Sequence, residues 1–129
     1  MKIHQEVKID ATPEAIFEVL TDSTKFKAMT GGKATEISRE PGGSISLFDG
    51  YVSGRHIELT PGKRVVQAWR GANWPEGVYS IVRFELTTDG DGAILTFDQI
   101  GHPVEHQPHL ETGWGKMYWE PMQAHLAKK

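Results

Sequence analysis

The chain has 129 residues, a formal net charge of -3 and no cysteine, which fits one domain with one core and excludes a disulfide framework, a thiolate metal site and a thiol nucleophile. Its 14 Lys and Arg are spread along the chain rather than gathered into a basic arm, so nucleic acid is not expected as a partner. No apolar run approaches the roughly 20 residues that cross a bilayer, and the N-terminus MKIHQEVKID is charged throughout, so the expectation is a soluble, cytoplasmic protein with neither signal peptide nor membrane anchor.

In chain order, Val7 and Ile9 alternate with polar neighbours, so residues 2–10 read as an opening strand with period-two burial. Thr12-Pro13 then supplies a hydroxyl cap followed by proline at the first helical position. Ala15, Ile16, Val19 and Leu20 form one apolar stripe after it, which predicts a short helix over 13–21. Asp22 or Ser23 can cap a second short helix carrying Phe26 and Met29, and Gly31-Gly32 ends it by accepting the left-handed conformation in which helices stop. From Lys33 onward turn signals recur at about ten-residue intervals, as in a meandering antiparallel sheet: Pro41-Gly42-Gly43, Asp49-Gly50, Pro61-Gly62 and Asp89-Gly90-Asp91-Gly92. Between them, residues 34–39, 44–48, 51–59, 64–70, 78–87 and 93–100 are strand candidates rich in Ile, Val, Phe, Tyr, Thr and Trp.

After Pro103 and Pro108, the stretch 109–127 places Leu110, Trp114, Met117, Tyr118, Pro121, Met122 and His125 within roughly 140° of one another at 100° per residue. This is the broad aromatic face of a helix of about 20 residues, some 30 Å long, which needs a sheet to lie on. Pro121 deletes a backbone donor, so a kink is expected near Met117. The pattern predicts an α+β fold, a single domain over 1–129. A curved antiparallel sheet of about six or seven strands wraps a long C-terminal helix, two short helices follow the first strand, and an apolar space is left inside.

Several motifs occur in a fixed order: Gly42-Gly43-Ser44, Asp49-Gly50, Leu59-Thr60-Pro61, Val65-Val66-Gln67-Ala68-Trp69-Arg70, Trp74-Pro75-Glu76-Gly77, and Gly113-Trp114 with Tyr118-Trp119. Over residues 33–126 they resemble the domain named for homologues of the heat-shock protein 90 ATPase activator. That domain belongs to the START-like (SRPBCC, pollen-allergen-like) helix-grip superfamily. The resemblance implies the helix-grip fold, a chaperone as partner and a role in stress response. It also implies a hydrophobic cavity, since the wider superfamily includes lipid carriers, plant hormone receptors and polyketide cyclases.

Three imidazoles and a carboxylate fall between His102 and His109, a density that suggests a metal site. Pro103 and Pro108 break the helix that would bring His102, His106 and His109 together, so a solvated loop is expected and no metal. His125, on the apolar helix face, is the best-placed general base, with Asp49 and Asp98 as alternatives lacking an evident partner. No nucleophilic triad, phosphate loop or dinucleotide fingerprint appears, and neither a cofactor nor a catalytic residue is assigned. Arg55 can clamp a ligand carboxylate if it faces inward, as it does when Ile57 and Leu59 are inward. Val52 inward turns it out unless Gly54 marks a bulge. Trp74, in the loop 73–77, suits a partner contact if exposed.

The preferred reading is a non-enzymatic module that binds a small apolar or aromatic ligand between sheet and helix. Phe84, Leu86, Phe97, Trp114, Met117 and Tyr118 would line the space, and Tyr118 or Arg55 would orient a polar group. The rival is a protein-interaction module that engages a chaperone or another protein through the outer sheet and Trp74. A cyclase-like or hydrolytic enzyme with His125 as base is the third.

Overall fold

The computed structural model describes residues 2–127, so the extreme ends of the expected domain lie outside the described residues. Strand β1 (Lys2–Ile9) leads into helices α1 (Pro13–Thr21) and α2 (Ser23–Met29). The strands β2 (Glu36–Ile37), β3 (Ser44–Leu47), β4 (Val52–Thr60), β5 (Arg64–Gly71), β6 (Ser80–Asp89) and β7 (Gly92–Ile100) follow. All pair antiparallel in one seven-stranded sheet of order β1-β7-β6-β5-β4-β3-β2, so only β1 pairs out of sequence, closing the meander on its far side. The helix starts obey their caps: Thr12 Oγ1 accepts from the Ala15 N–H at 3.1 Å and Asp22 Oδ1 from the Lys25 N–H at 2.9 Å.

The expected strand 34–39 shrinks to two residues because its donors are spent elsewhere. Ala34 N–H goes to Asp49 Oδ1 instead of a ladder partner, and Ile37, which stays in the ladder with Ile45, gives its N–H to Ser23 Oγ on the open side of this edge strand. The reversal between β3 and β4 is tighter than Asp49-Gly50 alone suggests. Gly50 N–H closes back on Leu47 O at 3.1 Å, with both central residues, Phe48 (φ 54°) and Asp49 (φ 58°), in the left-handed region. For a bulky aromatic this conformation is costly, and it is held by the paired bonds between Asp49 and Ala34.

In β4 the pairing with β5 slips between His56 and Glu58, so Ile57 is an extra residue that is half exposed. Val52 and His56 are buried and Arg55 is exposed. The bulge therefore comes two residues after Arg55 and cannot turn it inward, and Ile57 is not the inward residue the alternation predicts. Gly54 instead marks a close approach, since a Cβ there would lie 1.8 Å from Ala68 O.

His56 is 1 % exposed; its Nε2–H donates to Ser38 O at 2.9 Å, and its Nδ1 has no hydrogen-bond partner among the described residues. Burial pushes its pKa below the ordinary 6.5, outweighing the Ser38 bond. The unfolded chain therefore binds more protons below about pH 6.5, and stability falls as pH drops from there towards the lowered native value. The thermal midpoint should drop on going from pH 7 to pH 5, and the drop should be smaller in His56→Gln. Equal drops in calorimetric scans of the two proteins would refute the assignment.

The C-terminal segment starts with a 3-10 turn at Val104–His106, continues as α3 (Gln107–Trp114), loosens into a π-helical turn at Gly115–Trp119 and resumes as α4 (Glu120–Leu126). Pro121 has no N–H to donate, and the residue before it reaches back five positions, Glu120 N–H to Gly115 O. Where a kink is expected, near Met117, the helix makes this π turn. It also changes which side chains share a face. Trp114 and Trp119 sit roughly 140° apart on a straight α-helix, yet here their rings stack at 5.8 Å with planes 22° apart. Trp119, which 3.6 residues per turn would put nearly opposite Leu110, is 6 % exposed and donates Nε1–H to Gln5 Oε1 at 2.7 Å. His125, expected on that face, is exposed beyond the turn while Met122 takes the buried position.

Candidate functional site

The inner faces of β6 and β7 and the helix are packed directly against one another. Phe97 lies 4.2 Å from the Trp114 ring and 5.4 Å from Trp119, and Phe84 contacts Trp114, Tyr118 and Trp119 at 6.0 to 6.3 Å. Phe84, Leu86 and Phe97 are thus buried core residues and are not part of the lining of the pocket beside the helix. The expected hollow over β6 and β7 is filled because the π turn adds the indole of Trp119 to a face already carrying Trp114 and Tyr118.

Open space lies instead at one end of the helix, where β6 and β7 give way to the β3–β4 reversal. There a cavity of about 370 Å³ is walled by Phe48, Val52, Trp69, Leu110, Trp114, Met117 and Tyr118, with Lys33, Asp49, Tyr51 and His109 around its mouth. Each wall has a local cause. The left-handed Phe48 points its ring at Phe26 and Tyr118, both at 5.6 Å. Tyr51 is held by its hydroxyl donating to Asn73 Oδ1 at 2.7 Å, and Gly113 leaves open space on the helix side. Of the residues expected to line a pocket, Trp114, Met117 and Tyr118 do so; Met117 is 41 % exposed, at the entrance. Arg55 lies on the outer face, where Nη1 donates to Gly42 O at 3.1 Å.

The polar atoms behind the wall form a chain. Trp114 Nε1–H donates to Gln99 Oε1 (2.9 Å), Gln99 Nε2–H to Ser80 Oγ (3.0 Å) and Ser80 Oγ–H to Trp69 O (2.8 Å). Trp69 Nε1–H donates to the Tyr118 hydroxyl oxygen at 3.3 Å. Burial pushes the Tyr118 phenol far above its ordinary pKa, so it stays protonated and neutral. Gln99 and Gln67, buried on the inner face, carried no signal in the sequence beyond their place in alternating strands.

Trp74 is 5 % exposed, its ring 5.7 Å from Trp69 and 6.3 Å from His106. It closes the end of the barrel rather than presenting an exposed indole, because Gly71 leaves room beneath it. The histidine cluster disperses: His102 is buried on Gln107, His106 lies tilted beside Trp74 and His109 reaches the pocket mouth. Asp98 lies on the outer face, where His4 Nδ1 (2.6 Å), Arg83 Nη2 (2.8 Å) and Lys2 Nζ (3.8 Å) surround it. The hydrogen bonds and charges of His4 and Arg83 hold its carboxyl below the usual range, against its own desolvation. Replacing Arg83 by Ala should cost at most about 1 kcal/mol in urea unfolding, since the partly exposed network retains His4.

A bent antiparallel sheet clasping a long C-terminal helix is the helix-grip architecture. The chain belongs to the family of Activator of Hsp90 ATPase homolog 1-like proteins, whose profile matches residues 10–127. It is 31 % identical over 115 residues to the Activator of 90 kDa heat shock protein ATPase homolog of Dictyostelium discoideum, covering 88 % of this chain and 29 % of that one. Over 109 residues it is 29 % identical to homolog 1 of Homo sapiens, covering 84 % of this chain and 32 % of that one. The chain therefore spans about a third of the length of these curated relatives. Its fold is shared with an HSP90 activator from Plasmodium falciparum (TM-score 0.89, 22 % identity, covering 96 % of this chain and 94 % of that one). It is shared also with the Aha1 dimer from Colwellia psychrerythraea (TM-score 0.81, 23 % identity, 100 % and 98 % covered).

Proposed function

We propose that this protein is a non-enzymatic binding module that holds a small apolar or aromatic ligand between Phe48, Trp69 and the C-terminal helix. One observation carries the reading: a cavity of about 370 Å³ with aromatic and aliphatic walls and a polar mouth, within the range of small-molecule sites. Apolar contact supplies affinity, while the few polar groups set orientation. Titration with the fluorescent probe 8-anilinonaphthalene-1-sulfonate tests this directly. Met117→Trp and Gly113→Leu, which place bulk at the entrance and in the open space beside the helix, should each weaken binding about tenfold. Probe binding unchanged in both variants, with the fold retained, sinks the reading.

A second reading, a cytoplasmic module that engages a 90 kDa heat-shock chaperone, is favoured by the family and by the names of its curated relatives. Adding the protein to such a chaperone and following ATP hydrolysis tests it. A rate that does not change, together with no complex in sedimentation, removes it.

A further inference from the structure

The one buried polar group on the pocket wall whose hydrogen bonding is half used is the Tyr118 phenol. Its side chain is almost fully enclosed, at 3 % exposure, and Trp69, a second wall residue, already donates Nε1–H to the phenol oxygen. One acceptor position on that oxygen is therefore taken. Among the described residues no protein group accepts the phenol's own proton, and a phenol that receives a hydrogen bond donates a stronger one. The acceptor nearest in kind, Asp49, sits at the mouth with Oδ1 occupied by the Ala34 N–H.

The enclosed part of the wall has a donor to spare at Tyr118, while the free acceptors, Asp49 Oδ2 and the Tyr51 hydroxyl oxygen, belong to exposed residues at the mouth, and this division selects for ligand chemistry. An alcohol or amine whose polar end is seated at Tyr118 brings a donor hydrogen that competes with the phenol's own, with the carboxylate of Asp49 left at the mouth, and an unpaired donor is costly away from water. A carboxylate brings a full charge against a single neutral donor, and its buried charge stays uncompensated. An uncharged carbonyl brings only lone pairs. The mouth groups Lys33 and His109 are exposed, so water competes with them for any anionic head and they discriminate weakly.

Resting on the pocket-ligand reading above, we infer that the ligand is a ring-bearing apolar molecule with an uncharged carbonyl oxygen, and that the Tyr118 hydroxyl donates to that oxygen. Burial keeps the phenol protonated through the physiological pH range, so the donor is always present.

Three probes of one shape separate the terms: 2-acetylnaphthalene with its carbonyl, 2-isopropylnaphthalene without it, and 2-naphthoate with a charge. Binding is followed by quenching of the tryptophans around the pocket. The ketone should bind the native protein about tenfold more tightly than the hydrocarbon, and Tyr118→Phe should abolish that preference while leaving hydrocarbon binding unchanged. The retained hydrocarbon affinity also shows that the variant is folded. The bound carbonyl stretch should move to lower frequency in the native protein and not in Tyr118→Phe. Equal binding of ketone and hydrocarbon to the native protein overturns the inference while keeping the pocket. A preference for naphthoate that Lys33→Ala removes and Tyr118→Phe does not also overturns it. If none of the three binds, the pocket-ligand reading itself fails.

Discussion

Trp114→Ala is expected to lower stability by about 4 kcal/mol, which for a chain of this size shifts the thermal midpoint down by about 15 °C. The indole is 2 % exposed and touches five other aromatic rings: Trp69, Phe84, Phe97, Tyr118 and Trp119. Truncation leaves a hole between sheet and helix that the packed rings on both sides cannot close. It also strands Gln99 Oε1, which takes the Trp114 N–H at 2.9 Å in a residue with no exposure. Trp114→Phe partly separates the two contributions, because it keeps a six-membered ring in the cluster while losing the donor and the rest of the indole. Its loss should be about a third to a half of the alanine loss. Differential scanning calorimetry of both variants checks this, and an alanine loss below about 2 kcal/mol would show that the rings do not form one rigid cluster.

The parts of this architecture that local physics specifies were legible in the sequence, and those that depend on tertiary geometry were not. Thr12-Pro13, Asp22 and Gly31-Gly32 act through bonds and dihedrals within a few residues, so the two short helices begin and end where such residues put them. The alternation in residues 64–70 and 93–100 gives β5 and β7 because each strand has one buried face. The ambiguity at Arg55 is of another kind. Period two assigns faces only relative to a known residue, and a bulge at Ile57 breaks the count partway along β4.

The pocket was legible from one side only. Trp114, Met117 and Tyr118 fall on its wall because an aromatic helix face has to meet the sheet. Phe84 and Phe97 were placed there by the same alternation that buries them, but alternation does not say how much room is left above a strand. That room is decided by Trp119, and its position follows from the π turn, which in turn follows from Pro121. The helical-wheel count assumes 3.6 residues per turn throughout, so it misplaces Trp119 and His125 together and for one reason. Phe48 escaped because a left-handed phenylalanine is set by neither propensity nor pattern. It is imposed by Ala34 and Asp49, which are 15 positions apart and bond through both backbone and side chain.

Gly54→Ala tests the curvature on which the pocket depends, and a loss of about 3 kcal/mol is expected. The added Cβ would sit 1.8 Å from Ala68 O and 2.8 Å from its carbonyl carbon, both backbone atoms of the paired strand, so no rotamer change can relieve the clash. Strands β4 and β5 must separate where Gly54 faces Trp69, and Trp69 forms the pocket's sheet side. The variant should therefore lose probe affinity as well as stability. Gly115→Ala is the matched control: nothing lies within 4 Å of its added Cβ, and its φ of -63° is one alanine adopts freely. That substitution should be neutral or stabilising by up to about 1 kcal/mol, because alanine orders a helical backbone more cheaply than glycine. Urea unfolding of the pair decides the matter. Similar midpoints for the two variants would mean that β4 and β5 tolerate a wider spacing at Gly54, and that close backbone approach is not what bends the sheet around the helix.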